Sequence, residues 1–464
     1  MSAAAARLHW FTSDLRLADN AALAGDSAEP VAGVFVRDPD SVRRAASAPR
    51  RVAFLHACLA ALDVALARQG SRLVVLDGEP AAVLPRLAAR LGARVVTHAT
   101  NHEPAARARA ARVASALARD GVTAHATEAG AIHAPGTLLT GAGTPFQVYG
   151  AFARAWLARP LPPLVAPPKR WVAAGELHGL GVLPPADDRV ALPPAGEAAA
   201  RARLAAFVRH GLADYAARRD LPALDGTSRL SYHFRFGTIS AAEACRRAEA
   251  AARRDPGRAE GSLVWRRELA WRDFFTHLLH AFPRVAREPF RPLAVRWRVD
   301  DVGFRRWQSG TTGYPLVDAG MRELTATGFM HNRVRMVTAS FLTRHLLLDW
   351  RLGERHFMAE LLDAQLAQND GNWQWVAGTG ADAQPFHRIF SPVRQGERFD
   401  PDGAYVRRWI PELARVPARR IHAPWTLTPI ERRSWCPDYP PPVVDLDLAR
   451  GRALAALESA RERA

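Results

Sequence analysis

The chain has 464 residues, more than one ordinary hydrophobic core accommodates, so two domains are expected. Hydrophobic residues make up 48% and charged residues 23%, the balance of a globular protein, and no apolar run approaches the ~18–20 residues of a membrane helix. The net charge of +17 points to a polyanionic partner, nucleic acid before membrane or acidic protein. That argument is weakened because Lys169 is the only lysine among 63 cationic residues; an Arg-for-Lys bias in an Ala-rich chain reflects genome composition as readily as binding. Cys58, Cys245 and Cys436 are far apart and form no CxxC, which fits a reducing cytosol and argues against a Cys-based metal site. The start, MSAAAARLHWFTSDLRL, lacks a basic-then-apolar leader, so a cytoplasmic protein is expected.

In chain order, short apolar runs at Leu8–Phe11, Val31–Val36, Arg72–Leu76 and Arg94–Thr97 read as buried strands. They alternate with helical periodicity over Arg51–Arg68, Pro80–Leu91 and Ala105–Arg119. Such alternation predicts an α/β domain with a Rossmann-like, doubly wound parallel sheet. No GxGxxG follows the first strand, so the dinucleotide fingerprint is missing, although a ligand can still sit at the carboxyl ends of the strands. Nine prolines between Ala158 and Gly196 rule out a long helix and predict an extended connector. From Ala198 onward the periodic segments are helical, which predicts an all-α second domain. The expected division is 1–130, an α/β domain; 131–197, a connector; and 198–464, a helical domain.

Within the helical part, DGTSRLSYHFRFG (Asp225–Gly237) places hydroxyls where a helix begins; such residues either cap the helix or leave backbone N–H groups for an anion. VWRRELAWRDFF (Val264–Phe275) puts Glu268, Trp271, Arg272 and Phe275 on one helical face, the pattern of an ordinary helix surface or of a built site. In MHNRVRM (Met330–Met336), Asn332, Arg335 and Met336 share a face and Arg333 turns to a neighbouring one. LLDAQLAQND (Leu361–Asp370) and NWQWVAGTG (Asn372–Gly380) then mix polar groups with tryptophan in a helical setting that reads as buried, where such side chains usually surround something. The chain holds 13 Trp against 6 Tyr, an odd balance for a side chain whose N–H needs a partner.

These motifs, in this order from WFTSDLRLADNAAL (Trp10–Leu23) to WIPEL (Trp409–Leu413), resemble the DNA photolyase/cryptochrome family, and within it the class I cyclobutane pyrimidine dimer photolyases. Thr227, Ser228, Arg229, Leu230 and Ser231 match the TSRLS that holds the FAD pyrophosphate in that family, and Tyr215 matches the tyrosine upstream. By the same resemblance Trp265, Glu268, Arg272, Asn332, Arg335, Asp363, Gln365 and Asn369 line the flavin pocket, with Arg335 paired to Asp363 and Asn369 beside flavin N5. Glu268 and Asn332 would hydrogen-bond the damaged base. Trp271 and Trp375 would sandwich the flipped dimer, and Met336 would touch lesion or flavin. Arg219 and Arg333 would meet DNA. Trp307, Trp350 and Trp373 occupy the contexts of the family's electron-transfer relay.

Six-four photoproduct photolyases resemble MHHLARH, with histidines where this chain has Asn332 and Met336. Two departures stand out: the usual DGD reads DAQ at Asp363–Gln365, and NNGG reads NDGN at Asn369–Asn372. The resemblance implies a monomeric, FAD-containing, light-driven DNA repair lyase, with a cryptochrome photoreceptor as the rival. An antenna chromophore is implied as well. Ala105 and Ala106 stand where folate binders carry Asn-Glu, whereas HEPAARAR (His102–Arg109) and PRRVAFLHACL (Pro49–Leu59) look more like deazaflavin binders. Methenyltetrahydrofolate and a deazaflavin both stay open.

Overall fold

In the computed structural model, residues 6–24, 29–187, 189–383 and 388–462 are described. They form two compact units: 1–213 with 228–283, and 214–227 with 284–464.

The first unit is built on five strands, β1 (Arg7–Phe11), β2 (Val31–Arg37), β3 (Val74–Asp77), β4 (Val95–Ala99) and β5 (Thr123–Thr127). All pair in parallel in the order β3-β2-β1-β4-β5, so the sheet is doubly wound as expected. Its helices are α1 (Pro39–Ala45), α2 (Pro49–Ala67), α3 (Pro80–Leu91), α4 (Pro104–Arg119), α5 (Tyr149–Ala158) and α6 (Gly196–His210). α8 (Ser231–Phe236), α9 (Ala241–Arg254) and α10 (Ala259–Ala281) complete the unit, and the four-residue α7 (Tyr215–Arg218) belongs to the second. Four strands lie where the apolar runs placed them. The fifth, TAHAT, sits on the sheet edge with most side chains accessible, so it carries no apolar run.

One sheet face packs Leu8, Trp10, Val34, Val74 and Val96 against Leu84, Leu87, Val113 and Leu117 of α3 and α4 and against Val172 and Leu177 of the connector. On the other face Gly33 lets Phe11 and Leu66 of α2 close in, since a Cβ there would lie 2.8 Å from Phe11. The proline-rich connector runs along the sheet, its Val172 N–H bonding Val31 O at 3.0 Å.

Helix α10 joins this unit through one buried carboxylate. Asp273 accepts the backbone N–H groups of Ile132 (2.9 Å) and His133 (3.2 Å) and the Trp156 indole N–H (2.9 Å). Burial pushes it up to about 6, against the pull of Arg272 and those three bonds.

The second unit is helical: α11 (Asp301–Gln308), α12 (Pro315–Thr327), α13 (Asn332–Ser340), α14 (Trp350–Glu360), α15 (Leu366–Ala377), α16 (Pro392–Phe399) and α17 (Ala404–Trp409), followed by two short helices, Ala418–Ile421 and Pro429–Trp435, and a closing helix, Leu446–Glu462. Its core gathers Trp307, Leu316, Met321, Val337, Phe341, Trp350, Phe357 and Trp373. No helix among the described residues is long and apolar enough to cross a membrane.

Candidate active site

In the first unit the expected residues cluster on α8 and α10. Ser231 opens α8 and is exposed, and Leu230 before it is buried. Arg229 takes a left-handed φ of 49°, a conformation that costs a non-glycine residue about 1 kcal/mol or more and clusters at functional sites. The Ser228 carbonyl accepts the Arg203 Nε–H at 2.9 Å, fixing the turn. Gly237 ends α8 at φ 65°, where a Cβ would lie 2.6 Å from the Asp14 Cα.

On α10, Trp265 is buried against Phe207 of α6, with ring centroids 5.1 Å apart. Arg272 donates to the Gly130 carbonyl at 2.7 Å and lies over the Phe234 ring. Glu268 and Trp271 are half-buried one helical turn apart. Phe275 is buried and lies 5.5 Å from the Trp271 ring.

The strand order reverses between β1 and β4, the place where open α/β sheets bind ligands. His9 ties the two strands there: Nδ1 lies 2.9 Å from Thr97 Oγ1 and Nε2 2.9 Å from Asp14 Oδ2. Of the two residues that replace the folate-type pair, Ala105 is exposed and Ala106 buried on α4.

In the second unit Tyr215 is buried beneath the Arg219 guanidinium, 5.6 Å from the ring centroid. Arg333, expected at a DNA phosphate, donates to Asp220 Oδ2 at 2.8 Å and lies 4.5 Å over the Phe399 ring. Asn332 is the exposed first residue of α13, capped by His331, and Met336 is half-buried one turn on.

Arg335 and Asp363 form the expected pair. Nη1 meets Oδ1 at 3.1 Å and Nη2 meets Oδ2 at 2.8 Å, while Nε donates to the Met330 carbonyl at 2.7 Å. This is a two-pronged geometry that a lysine cannot reproduce. Gln365 is half-buried at the extended residue preceding α15.

Asn369 is buried and donates its amide N–H to the carbonyl and to Oε1 of Glu354, both at 3.0 Å. Its Oδ1 accepts no hydrogen bond from the described residues. Asp370 is buried beside it and accepts from Gln374 Nε2 at 3.1 Å. Burial drives Asp370 up to about 8; the Gln374 bond opposes this and the Glu354 charge adds to it. Burial raises Glu354 as well, against its bond from Asn369.

The three tryptophans expected to form a relay sit in one core. Trp307 and Trp373 are 6.1 Å apart between ring centroids, inclined at 72°, with Phe357 beside both. Trp373 rests on Gly353, one turn along α14 from Trp350. A methyl at Gly353 would collide with the Trp373 ring and sit 2.6 Å from the Leu342 side chain. Gly353→Ala is therefore expected to cost about 1–3 kcal/mol by overpacking, read from chemical denaturation, and to shift Trp373 fluorescence.

Trp307, Trp350 and Trp373 are all buried, Trp307 completely at 0% exposure, so none of them opens to solvent. Trp297 does: it is only partly buried, packs on the same core, and its neighbour Arg298 pairs with Leu348, two residues before Trp350. Sequence reading missed Trp297. Its signal was a lone indole between two arginines in a segment without helical periodicity. Trp375, half-buried, packs on the same cluster.

A family described as DNA photolyase matches residues 7–169, and one described as the FAD binding domain of DNA photolyase matches residues 265–459. A protein of Halobacterium salinarum named deoxyribodipyrimidine photo-lyase is 42% identical, covering 98% of this chain and 99% of its own. The chain belongs to the DNA photolyase family. Among solved structures, a class III photolyase of Agrobacterium tumefaciens superposes with a TM-score of 0.88 at 36% identity, covering 99% of this chain and 98% of its own. A Synechocystis cryptochrome gives 0.90 at 29%, covering 98% and 100%.

The FAD binding domain of this photolyase-family chain begins at Trp265 on α10 and takes in Arg335, Asp363 and Asn369. The donor set of its helical unit suits a flavin. The Arg335–Asp363 fork offers a fixed, partly accessible guanidinium, and Asn369 holds its amide nitrogen committed while its carbonyl oxygen is left to accept an N–H.

Proposed function

We propose that the chain is a deoxyribodipyrimidine photo-lyase of class I that repairs cyclobutane pyrimidine dimers in DNA under light. The observation that carries this reading is the start of α13. Asn332 is presented to solvent and Met336 lies one turn on, beside the Arg335–Asp363 fork, where six-four enzymes resemble a histidine pair. FAD, when bound and reduced, would absorb blue light and lend the dimer one electron, which opens the cyclobutane ring and then returns, with no net redox change. Tyr215, Thr227, Ser228, Arg229, Leu230 and Ser231 would hold its phosphate end. Trp265, Glu268, Arg272, Asn332, Arg335, Asp363, Gln365 and Asn369 would hold the flavin side.

The protein's own work is geometric and electrostatic. Trp271 and Trp375 hold the apolar dimer, at ~1–3 kcal/mol per stacked base, once it leaves the helix, which is cheapest at a damaged and poorly stacked step. Glu268 and Asn332 hydrogen-bond the base carbonyls, where negative charge develops. Arg219 and Arg333 supply phosphate affinity with a steep salt dependence; the Asp220 carboxylate that holds Arg333 competes with phosphate for that role. Trp373 and Trp350 lead charge from the core, and Trp297 completes the route to the surface that Trp307, being fully buried, cannot.

The division 1–130, 131–197 and 198–464 is proposed as the functional one: antenna domain, connector, and FAD- and DNA-binding domain. A deazaflavin or methenyltetrahydrofolate is proposed at the β1/β4 crevice, and the protein is proposed to act as a cytoplasmic monomer. The likeness to the Synechocystis cryptochrome keeps a photoreceptor without repair as the second reading.

The test is to reduce the purified protein and illuminate it with dimer-containing oligothymidylate while following absorbance at about 260 nm, where a restored thymine absorbs and a saturated dimer does not. Light-dependent recovery is expected. No recovery, with flavin bound, favours the photoreceptor.

A further inference from the structure

Trp271 does not stand alone on α10. The ring of Tyr149, the first residue of α5, lies against it with centroids 3.6 Å apart and planes 8° from parallel. Aromatic rings left to themselves settle into offset or edge-on pairs with centroids roughly 4.5–7 Å apart, so this close parallel contact is imposed by its surroundings. Two restraints impose it. The Tyr149 hydroxyl donates to the Arg267 carbonyl at 2.7 Å, one turn before Trp271 on the same helix. Phe274 meets both rings edge-on, 5.9 Å from Tyr149 and 5.7 Å from Trp271. The loop leading to Tyr149 is braced as well. Leu139 pairs with Pro145, the Thr140 N–H bonds Thr144 O at 2.8 Å, and Gly143 closes the turn with φ 72°.

We infer that Tyr149 is a positioning residue for lesion recognition, backing one face of Trp271 so that the indole plane is fixed and its other face is offered to the dimer. The inference rests on the reading of Trp271 as a lesion-stacking residue. A phenol tethered to the backbone of the helix it covers acts as a wall, because swinging aside would break the bond to Arg267. An untethered ring in the same place would be a lid occupying the position of the base. The two roles have opposite signs on affinity. An indole free to tilt stacks less well on a flipped base, whereas removing a lid favours binding. Phosphate contacts do not involve the indole, so either effect falls on dimer-containing DNA and spares undamaged DNA.

The experiment compares wild type with Tyr149→Phe, Tyr149→Leu, Tyr149→Ala and Trp271→Ala in the dark. Fluorescence anisotropy gives Kd for an oligonucleotide with one thymine dimer and for its undamaged twin, and circular dichroism gives melting. Tyr149→Ala is expected to raise the dimer Kd about tenfold, within the range of a stacked base, with undamaged binding unchanged. Tyr149→Leu, which keeps bulk and loses the ring, does the same should the alanine variant fold poorly, and Tyr149→Phe, which keeps the ring but loses the bond to Arg267, is expected to weaken dimer binding by less, about threefold. Unchanged or tighter dimer binding by Tyr149→Ala, while Trp271→Ala weakens it, overturns the inference. So does an equal loss on both DNAs accompanied by a lowered melting temperature, which marks a purely structural residue. If Trp271→Ala itself leaves dimer affinity unchanged, the reading of the site falls, and the Tyr149 role with it.

Discussion

Arg335→Ala is expected to destabilise the helical unit by roughly 3–5 kcal/mol and to empty it of flavin. The size follows from what the substitution leaves behind. The Asp363 side chain is 7% exposed and Arg335 only 25%, so the pair is largely shielded from water. Removing the guanidinium strands a buried carboxylate and takes the Nε–H from the Met330 carbonyl, which anchors the start of α13. Arg335→Lys restores a charge without the fork and should recover only part of the loss. Urea denaturation gives the stability, and the flavin absorbance of the purified protein gives the occupancy. A variant that unfolds at the wild-type midpoint with flavin retained would show that the pair is neither a brace nor a binding group.

The second large effect concerns Asp370, which stands where the usual pattern has asparagine. Its carboxyl titrates at about 8 in the folded chain against an ordinary 3.8, because it is buried, only partly relieved by Gln374, and faces Glu354. An acid whose folded pKa is raised binds its proton more tightly in the native state. Between about pH 4 and 8 the native state therefore holds a proton that the unfolded chain has released, and stability falls as pH rises through that window. Below it the carboxyl is neutral in both states and the penalty vanishes. At one pKa unit per 1.36 kcal/mol the full penalty is on the order of several kcal/mol above pH 8.

Asp370→Asn keeps an acceptor for Gln374 Nε2 and cannot ionise. Denaturation midpoints should then be close to wild type near pH 4 and clearly higher near pH 9, with the decline of the wild type between them flattened. A parallel decline in both proteins would place the titrating group elsewhere.

What the sequence made legible follows physical lines. Buried parallel strands are continuous apolar runs, so β1 to β4 could be read directly, whereas the edge strand TAHAT has nothing to bury and could not. The Arg335–Asp363 pair was readable because the motif order aligned two residues 28 positions apart. Helices α8 to α10 join the sheet unit through contacts such as Asp273 with Ile132 and His133, which span some 140 residues and leave no local trace. The same holds for Tyr149, an unremarked residue at the start of a helix, and for Trp297, whose meaning appears only when Trp307 proves fully buried. Arg333 was legible as a surface cation, but its partner Asp220 lies more than a hundred residues away in the chain.

A chain that splits cyclobutane dimers with light must act on that lesion and not on its six-four counterpart. The most direct measurement uses two oligonucleotides, one with a single cyclobutane thymine dimer and one with a six-four photoproduct. Each is incubated with the reduced protein in the dark and under blue light and resolved by chromatography. Conversion of the cyclobutane strand to intact thymines is expected in the light only, with no change in the six-four strand. Repair of the six-four strand, or a cyclobutane strand unchanged by light in the presence of flavin-loaded protein, would contradict it.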